Sequence, residues 1–268
     1  MNVKKLTIEY HLVHSCNLRC AGCSHYSSLL DKLTYVPLED IITDLTLLKN
    51  KIGNNLGTLK LLGGEPLLHP QICECLTEIR NLFPETNLII VTNGILLKKM
   101  SEEFYDICNK LNIQISISYY GLPNVNVTEI FHKLKDLGIK AKIYGYRNST
   151  KNSIWRYKQI RLTEGEIDCL SKCKLKNECN NYRNGKIYLC PHIAYIDFFN
   201  NHFGTNIKLD DTDYISLDEI NSFDELIEKI NSAKPNFCYH YCNYYDKTHP
   251  EKGKWHTTKK DINEFCQL

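Results

Sequence analysis

The chain has 268 residues, of which 43% are hydrophobic, and 33 basic against 31 acidic residues leave a formal net charge of +2. This is enough apolar material for a real core, as one large domain or a domain with a smaller appendage, and so balanced a charge gives no field for nucleic acid or an anionic membrane surface. No apolar run approaches the roughly 20 residues of a membrane span, and no export or lipidation motif precedes the first strand pattern, so a cytoplasmic protein is expected.

In chain order, Leu6 to Val13 alternates as a strand, and Pro37 to Lys49 has helical spacing. Thr58 to Gly63 reads as a strand, Pro70 to Phe83 as a helix, Asn87 to Asn93 as a buried strand and Lys98 to Lys110 as a helix. Ile113 to Ser118 is a strand, Val127 to Leu137 a helix stopped by Gly138, and Lys140 to Gly145 a strand. Such alternation calls for a parallel sheet with helical crossovers. The expected fold is α/β, a partial (β/α) barrel of five to six parallel strands. The rhythm ends near residue 150, so a barrel domain over 1–150 and a smaller Cys-rich domain over 151–268 are expected. In the second part Asn184-Gly185 signals a hairpin, Ser216 to Ser232 reads as one amphipathic helix, and Lys259 to Phe265 as another.

The 13 cysteines carry the chemistry. Without an export signal disulfides are not expected, and the uneven placing, three near the start and six between Cys169 and Cys242, favours metal. Cys73, Cys75, Cys108 and Cys266 read as core or incidental residues, since free Cys packs as a small hydrophobe. Cys16, Cys20 and Cys23 follow the first strand, at the strand end where ligands bind in parallel α/β folds. Three thiolates hold three corners of a [4Fe–4S] cube and leave the fourth iron open; a cluster ligated only by protein uses four. The competing reading is a zinc site completed by His14 or His25.

CxxxCxxC after the first strand resembles the signature of the radical S-adenosylmethionine (radical SAM) superfamily. Gly63-Gly64-Glu65-Pro66 at the second strand end resembles its GGEP motif, and Thr92-Asn93-Gly94 at the third is another familiar element. The resemblance covers roughly the first 150 residues. It implies that the open iron chelates SAM and that the products of its cleavage are methionine and a 5′-deoxyadenosyl radical, which abstracts a substrate hydrogen. On this reading Gly63, Gly64, Glu65, Pro66 and Asn93 are cofactor-binding. Gly63 and Gly64 admit the backbone close to the SAM ammonium, and Glu65 helps neutralise it. Ser116 and Ser118 are candidates for the ribose hydroxyls, and Arg147 for the SAM carboxylate. Gly22 departs from the family, which often has an aromatic residue there to contact adenine; His25 and Tyr26 are the substitutes considered.

Gly185 to Cys190 resembles the G-x₄-C element of SPASM and twitch domains, the auxiliary-cluster modules of this superfamily. That likeness implies one auxiliary [4Fe–4S] cluster held by Cys173, Cys190, Cys238 and Cys242, with Cys179 an equal alternative to Cys173 and Cys169 a weaker one. A zinc knuckle is the competing reading. A closed cluster transfers electrons rather than binding SAM. Further phrases, among them Asn-Gly-Lys-Ile-Tyr-Leu-Cys-Pro, resemble radical SAM proteins of bacterial surface-glycan pathways and a twitch-type cyclitol dehydrogenase.

On the first strand Glu9 and His11 share a face opposite Leu6, Ile8, Tyr10 and Leu12, and are expected in the barrel lumen. Oxidising an alcohol through a carbon radical requires a proton acceptor, for which His192, Tyr119 and Arg147 are the candidates. The leading expectation is dehydrogenation of a small-molecule or carbohydrate-like alcohol, with a reductant such as flavodoxin or ferredoxin supplying the first electron. Epimerisation comes second, with Cys169 or Cys179 as hydrogen donor. Peptide modification comes third, because Met1 stands only a few residues before the first strand.

Overall fold

The structure, a computed structural model, describes residues 5–145, 154–163, 165–166, 168–173, 178–243 and 252–268. The chain divides into two compact units, Met1–His14 with Thr34–Ser153, and Ser15–Leu33 with Ile154–Leu268. The cut at Ser153 lies beside the expected boundary after residue 150. The segment Ser15–Leu33 is a correction: the sequence reading keeps it with the barrel, whereas it packs in the second unit. The reason is where its backbone bonds go. Ala21 N–H donates to the His256 carbonyl (3.1 Å) and Thr258 N–H donates to the Arg19 carbonyl (2.9 Å).

The first unit runs β1 (Leu6–Val13), α1 (Leu38–Ile52), β2 (Leu56–Gly63), α2 (Ile72–Leu82), β3 (Asn87–Thr92), α3 (Glu102–Lys110), β4 (Gln114–Ser118), α4 (Val127–Asp136) and β5 (Ala141–Tyr144). The five strands are parallel and lie in sequential order. The expected helix from Lys98 is broken at Ser101, whose extended backbone and hydroxyl cap α3 by accepting from Phe104 N–H (3.2 Å). Asn126 caps α4 in the same way. Ile8, Leu12, Leu59, Leu61, Ile90, Ile115 and Ile117 of the sheet and Ile41, Leu45, Leu48, Leu76 and Ile79 of the helices are fully buried, each contributing about 2 kcal/mol by burial. Tyr10 donates its hydroxyl to Asp44 of α1 (3.1 Å), which fixes the helix-facing side of β1. Glu9 and His11 therefore occupy the opposite face. Glu9 pairs there with Lys60, its register partner on β2, at 3.0 Å.

The second unit contains β6 (Ile154–Arg156), β7 (Ile160–Arg161), the hairpin β8 (Asn181–Arg183) and β9 (Lys186–Tyr188), α5 (Pro191–Ala194), α6 (Ile196–Phe203), β10 (Ile215–Ser216), α7 (Phe223–Ser232), α8 (Asn236–His240), β11 (Lys252–Lys254) and β12 (Cys266–Gln267). The hairpin turns at Asn184-Gly185 as expected, and β10 adds antiparallel to β9. β6 pairs with β11, and β7 with β12. The helix expected over 216–232 starts only at Phe223. Ser222 accepts from Glu225 N–H (3.2 Å) while the Glu225 carboxylate accepts from Asn221 N–H (2.9 Å), a reciprocal cap that stops the helix extending backwards. The helix expected over 259–265 is a single turn at Ile262–Glu264 before β12. Tyr26, Leu29, Ile160, Ile193, Tyr195, Phe199, Phe237, Phe265 and Cys266 form this unit's core. No helix among the described residues is long and apolar enough to cross a membrane.

Candidate active site

In the first unit, the motifs after β2 and β3 are joined through one side chain. Glu65 is fully buried and accepts from Thr92 hydroxyl (2.7 Å), Asn93 N–H (2.9 Å) and Leu67 N–H (3.2 Å). Thr92 in turn accepts from Gly94 N–H, and Asn93 Oδ1 from Ile95 N–H, each at 3.0 Å. Burial raises the Glu65 carboxyl to about 7 against the pull of these three donors. Glu65 is thus a brace between two strand ends. Pro66 is buried at the start of the turn Pro66–Leu68. Gly63 has φ 136°, and a Cβ there would stand 1.9 Å from the Val13 carbonyl, to which Gly64 N–H donates (2.9 Å). A side chain is excluded at Gly63 by the end of β1.

Ser116 lies on the same face of β4 as Ser118. It is only 4% exposed and its hydroxyl has no partner among the described residues, an orphan of the kind a bound polar ligand satisfies. Ser118 is half-buried at the strand end. Tyr119 follows, half-buried, its N–H bonded to the Tyr144 carbonyl (2.9 Å). Arg147 lies outside the described residues. His11 is buried, with its Nδ1 3.3 Å from His14 Nδ1. His69 belongs to the start of α2, as expected. Its Nδ1 accepts from Gln71 N–H (3.1 Å), so Nε2 carries the proton and donates to the Val36 carbonyl (2.9 Å). A cavity of about 430 Å³ lined by Arg80, Asn87, Lys110 and Asn112 opens at the opposite, N-terminal end of β3, where Arg80 is committed to the carbonyls of Phe83, Pro84, Thr86 and Leu111.

In the second unit, the loop with Cys16, Cys20 and Cys23 is sewn to the C-terminal segment. Besides the bonds from Ala21 and Thr258, Gln159 Nε2 donates to the Gly22 carbonyl (2.7 Å). Gly22 has φ 63°, and a Cβ there would stand 2.8 Å from the Arg156 carbonyl and 2.9 Å from that of Glu264. The aromatic residue usual in the resembled motif has no room here. Tyr26, one suggested substitute, is also spoken for. It is 1% exposed, packed against His192, Phe199 and Phe265. His25 is half-buried beside Tyr195.

Among the described residues no group of three or more His, Cys, Asp or Glu side chains converges on one metal position. The donor chemistry of the loop fits a thiolate-held metal all the same. Burial raises the Cys20 thiol, and the neighbouring Cys23 and Cys16 add to the rise, while the Trp255 side chain opposes it. Burial also raises Cys23, although the amides of His25, Ser27, Ser28 and Tyr26 all favour its thiolate. Leu18 N–H donates to Cys16 Sγ (3.3 Å). A cation shared between the three would offset the repulsion that Cys23 and Cys16 thiolates exert on an ionised Cys20 and so favour the thiolates that bind metal.

Of the later cysteines, Cys190 feels three of the others electrostatically. Burial pushes its thiol far up, Cys238, Cys179 and Cys173 push it further, and the His192 amide opposes them. Cys169 instead gives its S–H to the Cys242 carbonyl (3.1 Å). His192 is corrected as a proton acceptor for substrate. It is buried between the Tyr26 hydroxyl (3.0 Å) and Gln159 Oε1 (3.4 Å), and burial lowers its imidazole to about 3. Of the lone cysteines, Cys75, Cys108 and Cys266 are in the core as expected, while Cys73 is partly exposed.

A family model described as the Radical SAM superfamily matches residues 10–159. Among curated relatives, a GTP 3′,8-cyclase of Microcystis aeruginosa is 36% identical over 113 residues, 40% of this chain and 33% of that protein. One of Helicobacter pylori strain HPAG1 is 32% identical over 197 residues, 72% of this chain and 56% of that protein. The chain therefore spans between a third and just over half of these relatives' length. Among solved structures, Streptococcus suis SuiB bound to S-adenosylmethionine has a TM-score of 0.44 at 18% identity, over 67% of this chain and 41% of that one. BtrN in complex with AdoMet and 2-DOIA has a TM-score of 0.42 at 19% identity, over 51% of this chain and 55% of that one.

Proposed function

Because the chain belongs to the radical SAM superfamily, whose model covers residues 10–159, we propose that it removes a hydrogen atom from a carbohydrate-like alcohol and passes the resulting electron to a second iron–sulfur group. The observation that carries the second half is the electrostatic crowding of Cys190 by Cys238, Cys179 and Cys173; Cys242 remains the further candidate ligand. When bound, SAM and the open cluster supply a 5′-deoxyadenosyl radical. The chain's own part is to hold and orient. Cys16, Cys20 and Cys23 hold the iron, and the Glu65 brace fixes the turns at Gly63-Gly64 and Asn93 to which SAM is assigned. Ser116 offers its orphan hydroxyl to a ribose. With His192 buried and neutral, Tyr119, just after β4, remains the candidate for the hydroxyl proton, while Arg147, whose guanidinium already carries its proton, is left its role toward the SAM carboxylate. A small iron–sulfur or flavin protein is the proposed reductant.

A second reading is favoured by the relatives named GTP 3′,8-cyclase, which direct attention to a purine nucleotide. The number 3′ denotes a ribose carbon, so both readings begin at a sugar carbon. Anaerobically reconstituted protein, reduced with dithionite and given SAM, is incubated with a panel of sugar and cyclitol alcohols and with GTP. The expected result is 5′-deoxyadenosine together with a two-electron-oxidised alcohol. A cyclised GTP product sinks the dehydrogenase reading. So does an inverted carbon carrying solvent deuterium, which identifies an epimerase.

A further inference from the structure

We propose that Arg161 is the buried counter-cation of the second cysteine group and sets the potential at which that group accepts an electron. The proposal rests on the reading above that these cysteines hold an electron-accepting cluster. Arg161, in β7, is 4% exposed. Its Nη2 donates to the carbonyls of Gly165 (2.5 Å) and Tyr239 (2.8 Å), and its Nε is buried with no partner among the described residues. No carboxylate among the described residues pairs with it. A guanidinium stays charged in any protein environment, and burying one without an opposite charge costs several kcal/mol. The same unit treats its other central arginine in the ordinary way: Arg183, less buried, is met by both oxygens of Asp197 at 2.7 and 2.9 Å.

The surroundings name the missing negative charge. β7 runs along the segment that carries two of the candidate ligands. Ile160 bridges to Cys242, Arg161 N–H donates to the Tyr241 carbonyl (2.8 Å), and the guanidinium grips the carbonyl of Tyr239, next to Cys238. Four thiolates around a core of charge +2 leave a net charge of −2, and one further electron makes it −3. A fixed positive charge beside that group stabilises the reduced state more than the oxidised one, and low-dielectric surroundings strengthen the effect. Arg161 thereby raises the reduction potential. A mere brace between two carbonyls does not act on the potential in this way.

The test uses the full chain carrying Cys16→Ala, Cys20→Ala and Cys23→Ala, so that only the second group binds iron, reconstituted anaerobically and titrated by EPR. Arg161→Gln and Arg161→Met are expected to move its potential negative, so that the fraction reduced at a fixed poise falls several-fold. Arg161→Lys, which keeps the charge, is expected to stay near the parent value. An unmoved potential in the neutral variants overturns the proposal, and so does a shift in Arg161→Lys as large as theirs. Should the neutral variants not fold, Arg161→His gives the charge contrast instead: its potential is expected to fall more steeply with rising pH than the parent's as the imidazole loses its charge, and parallel pH profiles overturn the proposal. Absence of iron from the parent triple variant is a different failure: it sinks the reading of the second group and the proposal with it.

Discussion

Glu65, fully buried, and Cys23, partly buried, are both ionisable and both receive several donors, yet the two regions they organise differ in kind. Three donors converge on Glu65 and close a ring between the ends of β2 and β3. Four amides favour ionised Cys23, and its thiol still lies above its ordinary value because burial outweighs them. The strand-end turns are therefore complete in themselves, whereas the cysteine loop has backbone built for anions, and a bound cation would favour ionised thiols there. The comparison teaches that the turns are framework, and that the loop's chemistry depends on what it binds.

The harshest challenge to the framework half is Gly63→Ala. The added carbon stands 1.9 Å from the Val13 carbonyl at a φ of 136°, so the end of β1 must move. A loss of about 3 kcal/mol is expected, read as a fall in melting temperature of roughly 6–12 °C. An unchanged melting temperature removes the claim that the turn is rigid. Gly22→Ala probes the loop. Its Cβ meets two carbonyls at 2.8 and 2.9 Å, and the left-handed backbone adds its own penalty, about 2 kcal/mol in all. The expected outcome is a smaller thermal shift but a clear loss of iron per chain after reconstitution. Equal iron content in Gly22→Ala and wild type breaks the assignment of this loop.

The difference between the regions also explains what was legible beforehand. Strand–helix alternation exposed all five parallel strands, because each buries a face against a helix with its own period, and three motifs at successive strand ends carried the resemblance to the family. Position 65 was legible as important, but its task was not, since the donors that hold it come from residues 92 and 93, a long-range pairing that no local spacing encodes. His192 was misread for the same reason. Its proximity to Cys190 suggested a mouth-facing base, while Tyr26 and Gln159, distant in sequence, enclose it. α5 and α6 were missed in a Cys- and Asn-rich stretch, although Pro191 at a helix start and apolar Ile193, Ile196 and Phe199 were available signals. The attachment of Ser15–Leu33 to the C-terminal segment had no sequence signal at all.

A pH experiment sharpens the framework half further. In the folded chain Glu65 titrates near 7, above the ordinary 4.5, so folding favours its protonated form. The stability it contributes is complete below about 4.5 and is lost as pH rises through about 7, a change of about 3 kcal/mol at most. Urea unfolding at pH 5 and pH 8 is expected to show wild type weakening with rising pH relative to Glu65→Gln, whose amide does not titrate. Parallel pH profiles for the two proteins mean that Glu65 is ionised throughout and that its three donors outweigh its burial.

The smallest expected effect separates framework from ligand contact at a single atom. The Ser116 hydroxyl is buried and unpartnered, whereas Thr92, at the end of the neighbouring strand β3, has its hydroxyl fully used. Removing an unsatisfied buried hydroxyl relieves a desolvation penalty of about 1 kcal/mol, so Ser116→Ala is expected to melt at or slightly above the wild-type temperature. If that hydroxyl exists for a ribose, the same variant binds SAM about tenfold more weakly, the loss of one hydrogen bond of roughly 1.4 kcal/mol. Thr92→Val has the reverse pattern: it breaks the Glu65 ring, and is expected to lower stability by more than Ser116→Ala changes it. Equilibrium dialysis of SAM against thermal denaturation of the two variants therefore puts them on opposite axes. A Ser116→Ala protein that loses stability and keeps its SAM affinity assigns the hydroxyl to the fold, and moves the boundary between framework and ligand contact outward along β4 to Ser118.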